Sequence, residues 1–532
     1  MQGTVPARGR GERDATTKWR SLASQPAPRP TPAAGATFAR RSCDHPPVNL
    51  AAVLLRAAAT TPDAPALLDE RGGRTTYGAL ADAAARLAAQ LVADGVEPGD
   101  RVALVSPNSV AFVAAYLATL HAGAVCVPLH PTAPPAELER QLAAVDARLT
   151  LAAGSSAPLA SAAGRPARRI DLDALPDAGA TMRDRADDDV AVLLFTSGTA
   201  GAPRAAMLTH ANLATNIGQV QGHPGLALRA DDVGLGVLPC SHIFGLNVVL
   251  GCGLAAGAAT LLAGRFQPAA SARLAREHGV TVLAGVPTMF RDWLDCDPAP
   301  LDAFASVRLA VSGAAALPEE VASGFRDRFG VVVHQGYGLT EASPIVTTTA
   351  LGPTPPRPGS IGRPLPGVTV RLVDEDGADA LAGDPGEIWV RGPNVFAGYW
   401  GDPAASARAL ADGWLHTGDV AVVDEHDDLR LVDRRTDLIL VGGFNVYPAE
   451  VEEALRTHPD VADAAAVGEP SPRTGETVVA YVVAAAGRSP DPAALVAHCG
   501  RALARYKCPT RVEVVDALPR TAVGKVQRRA LS

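Results

Sequence analysis

The chain has 532 residues, which is too long for one ordinary hydrophobic core, so two or more domains are expected. Its composition, 47% hydrophobic and 20% charged, is that of a globular protein, and a net charge of −8 argues against nucleic acid or an anionic membrane as a partner. The seven cysteines occur singly, and no pair has the spacing of a zinc site. Reduced, buried thiols and a cytoplasmic location are therefore expected.

The first part of the chain changes character at about residue 46. Residues 1–45 are rich in Pro, Ala, Arg and Ser and lack apolar periodicity, which predicts a disordered tail. From residue 49 a hairpin pattern at 66–77 is followed by a helical pattern in which Leu80, Ala84, Leu87 and Leu91 recur. Both patterns are typical of an ordered, layered domain.

Strand and helix patterns then alternate from residue 102 to 129 and return at 189–215, 279–296 and 307–335. Because parallel strands need long crossovers, this alternation predicts a mainly parallel sheet covered by helices. The uncharged run 243–264 contains five glycines and Asn247, so it predicts a buried helix and strand instead of a membrane span.

A loop rich in hydroxyl and glycine residues follows the apolar strand that ends near residue 196. Missing Cβ atoms let backbone amides converge on phosphate oxygens, while hydroxyl groups add donors and an arginine adds positive charge. The GxxxxGK[ST] motif is absent, so this is not a Walker loop. The candidate phosphate-binding residues are Thr196, Ser197, Gly198, Thr199, Gly201 and Arg204.

This loop resembles the phosphate loop of the adenylate-forming superfamily of acyl-CoA synthetases, luciferases and non-ribosomal adenylation domains. Ala200, Arg204 and Ala205 stand where the family usually has Thr, Lys and Gly. Arginine keeps the charge of lysine but changes its geometry, so these departures are expected to alter pyrophosphate handling or loop mobility.

Further motifs follow in the family's order, and the resemblance spans roughly residues 48–532. It implies that His242 lies near the acyl carboxylate and that Gly313 and Ala314 line the adenine pocket. The segment Gln-Gly-Tyr-Gly-Leu-Thr-Glu at 335–341 is the most recognisable. There the resemblance implies an adenine-stacking tyrosine and its neighbouring glycine, a threonine on the AMP phosphate and a glutamate that binds Mg²⁺, namely Tyr337, Gly338, Thr340 and Glu341.

The C-terminal motifs complete the predicted site. The resemblance assigns Asp419 to the ribose hydroxyls, Arg434 to the hinge and the ribose, and Gly442 and Gly443 to the path of coenzyme A. Lys525 would be the catalytic lysine that bridges the acid and the α-phosphate. Thr436 replaces the usual Lys or Asp of the hinge, which is expected to change how readily the hinge turns.

The resemblance implies a large α/β body of several subdomains, followed by a small mobile α+β domain. The predicted division is an AMP-binding domain at 46–433, a hinge at 434–436 and a C-terminal domain at 437–532. The implied reaction activates a carboxylic acid with ATP and Mg²⁺ as an acyl-adenylate and transfers the acyl group to coenzyme A. By the same resemblance, the small domain turns between the two steps.

The acid itself is expected to be apolar. No acidic residue lies between Asp232 and Glu277 to bind an amino group, and the segments at 243–250 and 286–290 are apolar. The pattern at 242–247 resembles fatty-acid–CoA ligases most, while an aryl or small branched acid stays open. Two other hypotheses also stay open: an acyl-adenylate ligase that loads a carrier protein, and a non-catalytic homologue that binds nucleotide or acyl ligand.

Overall fold

The computed structural model describes residues 49–154, 167–196, 204–296, 301–351, 356–374, 376–381, 383–434, 439–446, 448–519 and 531. Within these ranges the strands form three sheets, of 13, six and five strands. A large α/β body is followed by a smaller α+β part, which confirms the predicted fold class. The predicted tail at 1–45 lies outside the described residues.

The strands of the large body alternate with helices over most of its length. They are β1 (Pro65–Asp69), β2 (Arg74–Thr76), β3 (Arg101–Val105), β4 (Val125–Leu129), β5 (Leu149–Ala152), β6 (Ala167–Arg169), β7 (Val190–Thr196), β8 (Arg204–Thr209), β9 (Val233–Gly236), β10 (Ala259–Leu262), β11 (Val282–Gly285), β12 (Leu309–Ser312), β13 (Val333–Gly338), β14 (Ile345–Thr348), β15 (Ser360–Pro364), β16 (Thr369–Val373), β17 (Gly386–Arg391), β18 (Leu415–Val423) and β19 (Leu429–Arg434). The C-terminal strands are β20 (Ile439–Val441), β21 (Phe444–Val446), β22 (Val461–Ser471), β23 (Gly475–Ala484) and β24 (Arg511–Val515).

Helices connect and cover these strands. They are α1 (Leu50–Leu54), α2 (Arg56–Thr60), α3 (Tyr77–Ala93), α4 (Val110–His121), α5 (Pro135–Ala144), α6 (His210–Gln221), α7 (Cys252–Ala256), α8 (Pro268–Glu277), α9 (Pro287–Asp295), α10 (Glu319–Phe329), α11 (Pro403–Ala409), α12 (Pro448–Arg456) and α13 (Pro492–Ala502). Helix α7 continues a π-helical segment, Phe244–Gly251, and short 3₁₀ turns occur at Thr340–Ala342, Ala411–Gly413 and Arg505–Lys507.

The largest sheet has the order β16-β17-β18-β19-β15-β14-β13-β12-β11-β9-β10-β1-β2. From β1 to β13 its neighbours pair in parallel, while β1 and β2 form the predicted antiparallel hairpin. The second sheet, β6-β5-β3-β4-β7-β8, is parallel except for the β7–β8 hairpin. The parallel pairing predicted from strand–helix alternation is thus observed.

The C-terminal lobe, defined here as residues 439–446 and 448–519, contains the third sheet. Its order is β21-β20-β23-β22, with β24 paired to β23. Helices α12 and α13 cover one face through a separate hydrophobic core that includes Val451, Leu455, Leu495 and Cys499. A core of its own is what a small folding unit requires.

Hydrophobic periodicity explains the local structure well. Helix α3 buries Leu80, Ala84, Leu87 and Leu91, the four residues of the predicted stripe. The uncharged run 243–264 forms the π-helical segment, α7 and β10, with Gly257 (φ 77°) at the end of the helix. No helix in the described part of the chain is both long and apolar enough to cross a bilayer.

His210, the first residue of α6, is fully buried, and its Nδ1 accepts a hydrogen bond from the Leu50 N–H at 3.0 Å. Burial, reinforced by the nearby Arg185 charge, lowers the pKa of His210 to about 4. The unfolded chain can therefore take up a proton, between pH 6.5 and 4, that the folded chain excludes. We expect protonation of this histidine in the unfolded chain to lower the free energy of unfolding by about 2 kcal/mol between neutral pH and pH 5.

The variant His210→Asn tests this expectation, since the amide oxygen can replace Nδ1 as acceptor but does not titrate. Chemical unfolding at pH 7.5 and pH 5 is the measurement. The stability lost between the two pH values should be smaller in the variant than in the wild type, and equal losses would contradict the assignment.

Candidate active site

A cavity of about 360 Å³ gathers residues from distant parts of the chain. It lies at the carboxyl ends of β12 and β13, as ligand sites commonly do in parallel α/β structures. The predicted site residues that line it are Arg204, His242, Gly313, Ala314, Tyr337, Gly338, Thr340, Glu341, Asp419 and Gly443. Most of the motifs singled out separately in the sequence therefore converge on one cavity, whereas the predicted residues Thr196 and Gly442 are not part of its lining.

The predicted adenine and ribose residues are joined directly. The Tyr337 hydroxyl donates a hydrogen bond to Oδ2 of Asp419 at 2.8 Å, although 82 residues separate them in the chain. Arg434, the last residue of β19, lies directly opposite Asp419 in the β18–β19 register. This end of the cavity thus combines an aromatic ring with a carboxylate, groups that suit a nucleoside.

Glu341 occupies the 3₁₀ turn that follows β13. Tyr399 donates a hydrogen bond to its Oε1 at 2.8 Å. Burial raises the pKa of Glu341, against the opposing effect of the Tyr399 hydrogen bond, and the Asp419 charge raises it further. A nearby cation would favour the ionised form of Glu341. Binding of a metal ion together with a nucleotide would therefore stabilise the carboxylate.

The donor set fits Mg²⁺ better than a metal held by protein alone. Among the described residues, no three His, Cys, Asp or Glu side chains are grouped to hold a metal ion. Mg²⁺ is commonly bound through one or two carboxylates together with water and substrate phosphates. Glu341 supplies such a carboxylate beside Thr340, inside the cavity.

His242 is neutral in this environment. Burial lowers its pKa to about 4, and its Nδ1 accepts a hydrogen bond from the Phe244 N–H at 3.3 Å. With Nδ1 acting as acceptor, the ring proton is on Nε2. His242 can therefore donate a hydrogen bond to a carboxylate without carrying a charge.

The predicted phosphate loop is the connection of the β7–β8 hairpin. Its ends, Thr196 and Arg204, lie opposite each other in the register, and the Thr196 hydroxyl donates to the Arg204 carbonyl at 3.4 Å. The Arg204 side chain reaches the cavity, where its Nε lies 3.2 Å from Oδ2 of Asp402. The other predicted residues of the loop, Ser197, Gly198, Thr199 and Gly201, lie outside the described residues.

Gly442 and Gly443 form the two-residue turn between β20 and β21. Their φ angles are 58° and 83°, the left-handed values that a type I′ hairpin requires at both positions. A Cβ atom on Gly443 would lie 2.6 Å from Cγ1 of Val286. Glycine at 443 thus lets the C-terminal lobe insert its turn into the cavity wall.

Lys525 lies outside the described residues. Leu518 and Leu531, on either side of it in the chain, pack with Val467, Val479 and Tyr481 on the C-terminal sheet. None of the residues from 448 to 519 lines the cavity. The role of Lys525 therefore stays a prediction.

Five polar residues of the cavity lining were not identified as site residues from the sequence: Glu387, Tyr399, Arg408, His416 and Thr417. Tyr399 holds Glu341, Glu387 accepts a hydrogen bond from the Gly418 N–H at 3.0 Å, and Arg408 adds a second guanidinium to the lining. Arg408 lies in the last turn of α11, which begins after the N-cap residue Asp402. The N-cap predicts where the helix starts, but it does not predict that the arginine in the last turn reaches the cavity.

Two family models together match most of the chain. Residues 54–400 match the model described as AMP-binding enzyme, and residues 450–525 match the model described as AMP-binding enzyme C-terminal domain. The chain belongs to the AMP-binding enzyme family. It is an acid–thiol ligase of the AMP-forming class, and enzymes of this class use ATP, Mg²⁺ and coenzyme A.

Similar proteins include ligases for different acids. The chain is 40% identical to a feruloyl-CoA synthase of Amycolatopsis sp over 86% of its own length and 93% of that protein. It is 36% identical to a long-chain-fatty-acid–CoA ligase of Yersinia pestis, over 82% and 85% respectively. Among solved structures, the amide bond synthetase McbA from Marinactinospora thermotolerans superposes with a TM-score of 0.82 at 31% identity, covering 91% of this chain and 99% of that one.

Proposed function

We propose that this enzyme activates a compact apolar carboxylic acid with ATP and then transfers the acyl group to coenzyme A in the same cavity. The observation that carries the proposal is the convergence of the Tyr337–Asp419 pair and His242 on one cavity. The Tyr337–Asp419 pair suits the nucleoside of ATP and His242 suits the carboxylate of the acid. The two reactants would therefore meet in the space between this pair and His242. Bringing reactants together in this way can supply much of the rate enhancement.

In the first step the acid attacks the α-phosphorus of ATP and pyrophosphate leaves. Arg204 and the hydroxyls of the 197–203 loop would hold the outer phosphates, and Asp419 would accept the ribose hydroxyls. Thr340 would donate to the α-phosphate, and His242 would orient the acid. Glu341 would hold Mg²⁺, which when bound offsets the phosphate charge. Lys525 would bridge the carboxylate and the α-phosphate during this step.

In the second step a thiol attacks the acyl carbon and AMP leaves. Gly442 and Gly443 would line the entry path of the thiol, and the position of Gly443 in the cavity wall supports this role. The C-terminal lobe, connected through a hinge near 434–436, would turn between the two steps. The predicted domain division at residue 434 belongs to this proposal.

The size of the acid is proposed from the wall of the cavity. Val311 and Ile345 line the main cavity and also a separate apolar cavity of about 40 Å³ behind them. Their side chains thus lie between the two spaces, leaving little room for a long alkyl chain. A compact tail, such as an aryl group, is favoured over the fatty acid expected from the sequence, and the feruloyl-CoA synthase relative gives independent support.

A panel of acids tests the function. Purified protein is incubated with ATP, Mg²⁺ and ferulate, 4-coumarate, octanoate or palmitate, with and without coenzyme A. Pyrophosphate, AMP and thioester are measured. We expect acid-dependent pyrophosphate release and thioester formation, with the aryl acids preferred. A clear preference for palmitate would overturn the compact-acid proposal, and no ATP turnover with any acid would overturn the ligase proposal.

Replacing Val311 with alanine should join the two cavities. We expect the kcat/KM ratio of octanoate over 4-coumarate to rise about tenfold, because each added methylene in an apolar pocket is worth roughly 1–3 kcal/mol when it fits. Val282→Ala is the matched control, since Val282 lines the small cavity but not the main one. An equal rise in both variants would show that Val311 is not the barrier.

The other two hypotheses gain less support. None of the three relatives named above is described as loading a carrier protein, so coenzyme A is the proposed acceptor. A non-catalytic homologue is disfavoured because Glu341 and Asp419 line the cavity, and Arg204, although it replaces the usual lysine, supplies a positive charge there. Thr436, the departure in the hinge, lies outside the described residues. The cytoplasmic location expected from the sequence stays a prediction.

A further inference from the structure

A buried cluster of three charged side chains joins the C-terminal lobe to the large body outside the cavity. One of them, Lys507, belongs to the segment 506–509, which also matches the family pattern. Lys507 Nζ lies 3.1 Å from Oε1 of Glu137 on α5 and 2.9 Å from Oε1 of Glu450 on α12. The other oxygen of Glu137 accepts a hydrogen bond from the Ala504 N–H at 3.1 Å. The three charged side chains are 5–9% exposed, so water screens them weakly.

This cluster is connected to the cavity by a short series of contacts. Tyr506, beside Lys507, stacks on Phe444 with a centroid distance of 4.3 Å. Phe444 directly follows Gly443, and its ring lies edge-on to the ring of His242 at 6.3 Å. Fixing Lys507 therefore fixes the turn that forms part of the cavity wall.

The two glutamates contribute differently. Glu450 belongs to the same lobe as Lys507, so their pairing persists wherever the lobe lies. Glu137 belongs to the large body and contacts Lys507 and Ala504 only when the lobe is docked as in this structure. If the lobe leaves, Glu137 can gain water, and Gln141 on its own helix already donates to it at 3.3 Å. Glu137 thus stabilises the docked arrangement of the lobe.

We propose that Glu137 is a positioning residue for the thiol-transfer step, holding the C-terminal lobe so that Gly443, in the turn between β20 and β21, lines the cavity. The proposal rests on the proposed function, in which transfer requires that turn. A state in which the lobe has turned does not use this contact, so loss of Glu137 shifts the population away from the transfer arrangement. Adenylation, which uses the large body and Lys525, keeps its machinery.

The variant Glu137→Gln tests this assignment, since it keeps the shape of the side chain and removes its charge. Adenylation is measured as ATP–pyrophosphate exchange, and transfer as thioester formation from synthetic acyl-adenylate and coenzyme A. We expect transfer to fall about tenfold or more, because removing one charge of a buried, hydrogen-bonded charge pair is costly, while exchange stays within about twofold. Glu139→Gln, the same change at an exposed position of the same helix, should alter neither rate.

Further variants separate positioning from folding. Glu137→Asp keeps the charge and should recover part of the transfer rate, and it carries the test if Glu137→Gln does not fold. The double variant Lys507→Gln/Glu137→Gln should lower the transfer rate no more than the more damaging of the two single variants does. Such non-additive effects are expected for two residues that act through their mutual contact. Equal slowing of both half-reactions, or unchanged transfer, would overturn the proposal. Wild-type protein that makes no thioester from any acid would instead overturn the proposed function.

Discussion

Replacement of Lys525 with alanine is expected to abolish adenylation and to spare thioester formation from synthetic acyl-adenylate. The adenylation transition state carries negative charge on the phosphoryl oxygens and the attacking carboxylate, and a lysine that bridges them stabilises that charge. Loss of one such contact typically costs roughly 10²–10³ in rate. In the second reaction the phosphate is already the leaving group, so the same ammonium is not required.

The measurement compares ATP–pyrophosphate exchange with transfer from the synthetic intermediate. Arg528→Ala removes a positive charge three residues away in the same basic segment and controls for a general electrostatic effect. It should leave exchange within about threefold of the wild type, as expected for a charge outside the reacting groups. If Lys525→Ala slows both half-reactions equally, the assignment of this lysine to adenylation is wrong.

Replacement of Gly443 with alanine is expected to slow thioester formation and to spare adenylation, the reverse of the effect of Lys525→Ala. The turn requires φ of 83° at this position, and the new Cβ would lie 2.6 Å from Val286, so the turn must move out of the cavity wall. Small misplacements of a positioning group can cost about 100-fold in rate. We therefore expect thioester formation to fall by about that factor, with pyrophosphate exchange largely kept.

A matched control is available at Gly475, on the neighbouring strand of the same lobe. Its φ is 76°, and the nearest atom to an added Cβ is the Leu440 carbonyl oxygen at 3.7 Å, an ordinary contact. Gly475→Ala thus introduces similar backbone strain without the clash. If both variants lose transfer to the same extent, strain in the lobe explains the effect and the entry-path role of Gly443 is contradicted.

The sequence predicts much of this architecture because its signals are local. The stripe of α3, the β1–β2 hairpin and the strand–helix alternation follow from periods of 3.6 and 2 residues and from chain connectivity. The site motifs could be recognised because each is a short contiguous segment. The approach of Gly313 and Tyr337 follows from the ends of the neighbouring parallel strands β12 and β13 meeting at one edge. Arg204, Asp419 and Gly443 reach the same cavity from antiparallel strand pairs, which the sequence does not predict.

The remaining features depend on contacts between segments that are far apart in the chain. Glu137 and Lys507 are 370 residues apart, and Tyr399 and Glu341 are 58 residues apart. No local period relates such pairs, and a single Glu or Tyr on a helix or loop is usually just solvated. The apolar wall formed by Val311 and Ile345 is likewise a property of packing, so the size of the acid could not be predicted from the apolar segments alone.

Binding of an acyl-sulfamoyl-adenosine, a stable mimic of the acyl-adenylate, tests the central claim most directly. Calorimetry on the wild type and on Asp419→Ala, with 4-coumarate as the acyl group, measures whether nucleoside and acid share one cavity. We predict one-to-one binding that excludes ATP, weakened by about 10- to 100-fold in Asp419→Ala through loss of charged hydrogen bonds to the ribose. Binding alongside ATP, or equal affinity for the two proteins, would contradict the account.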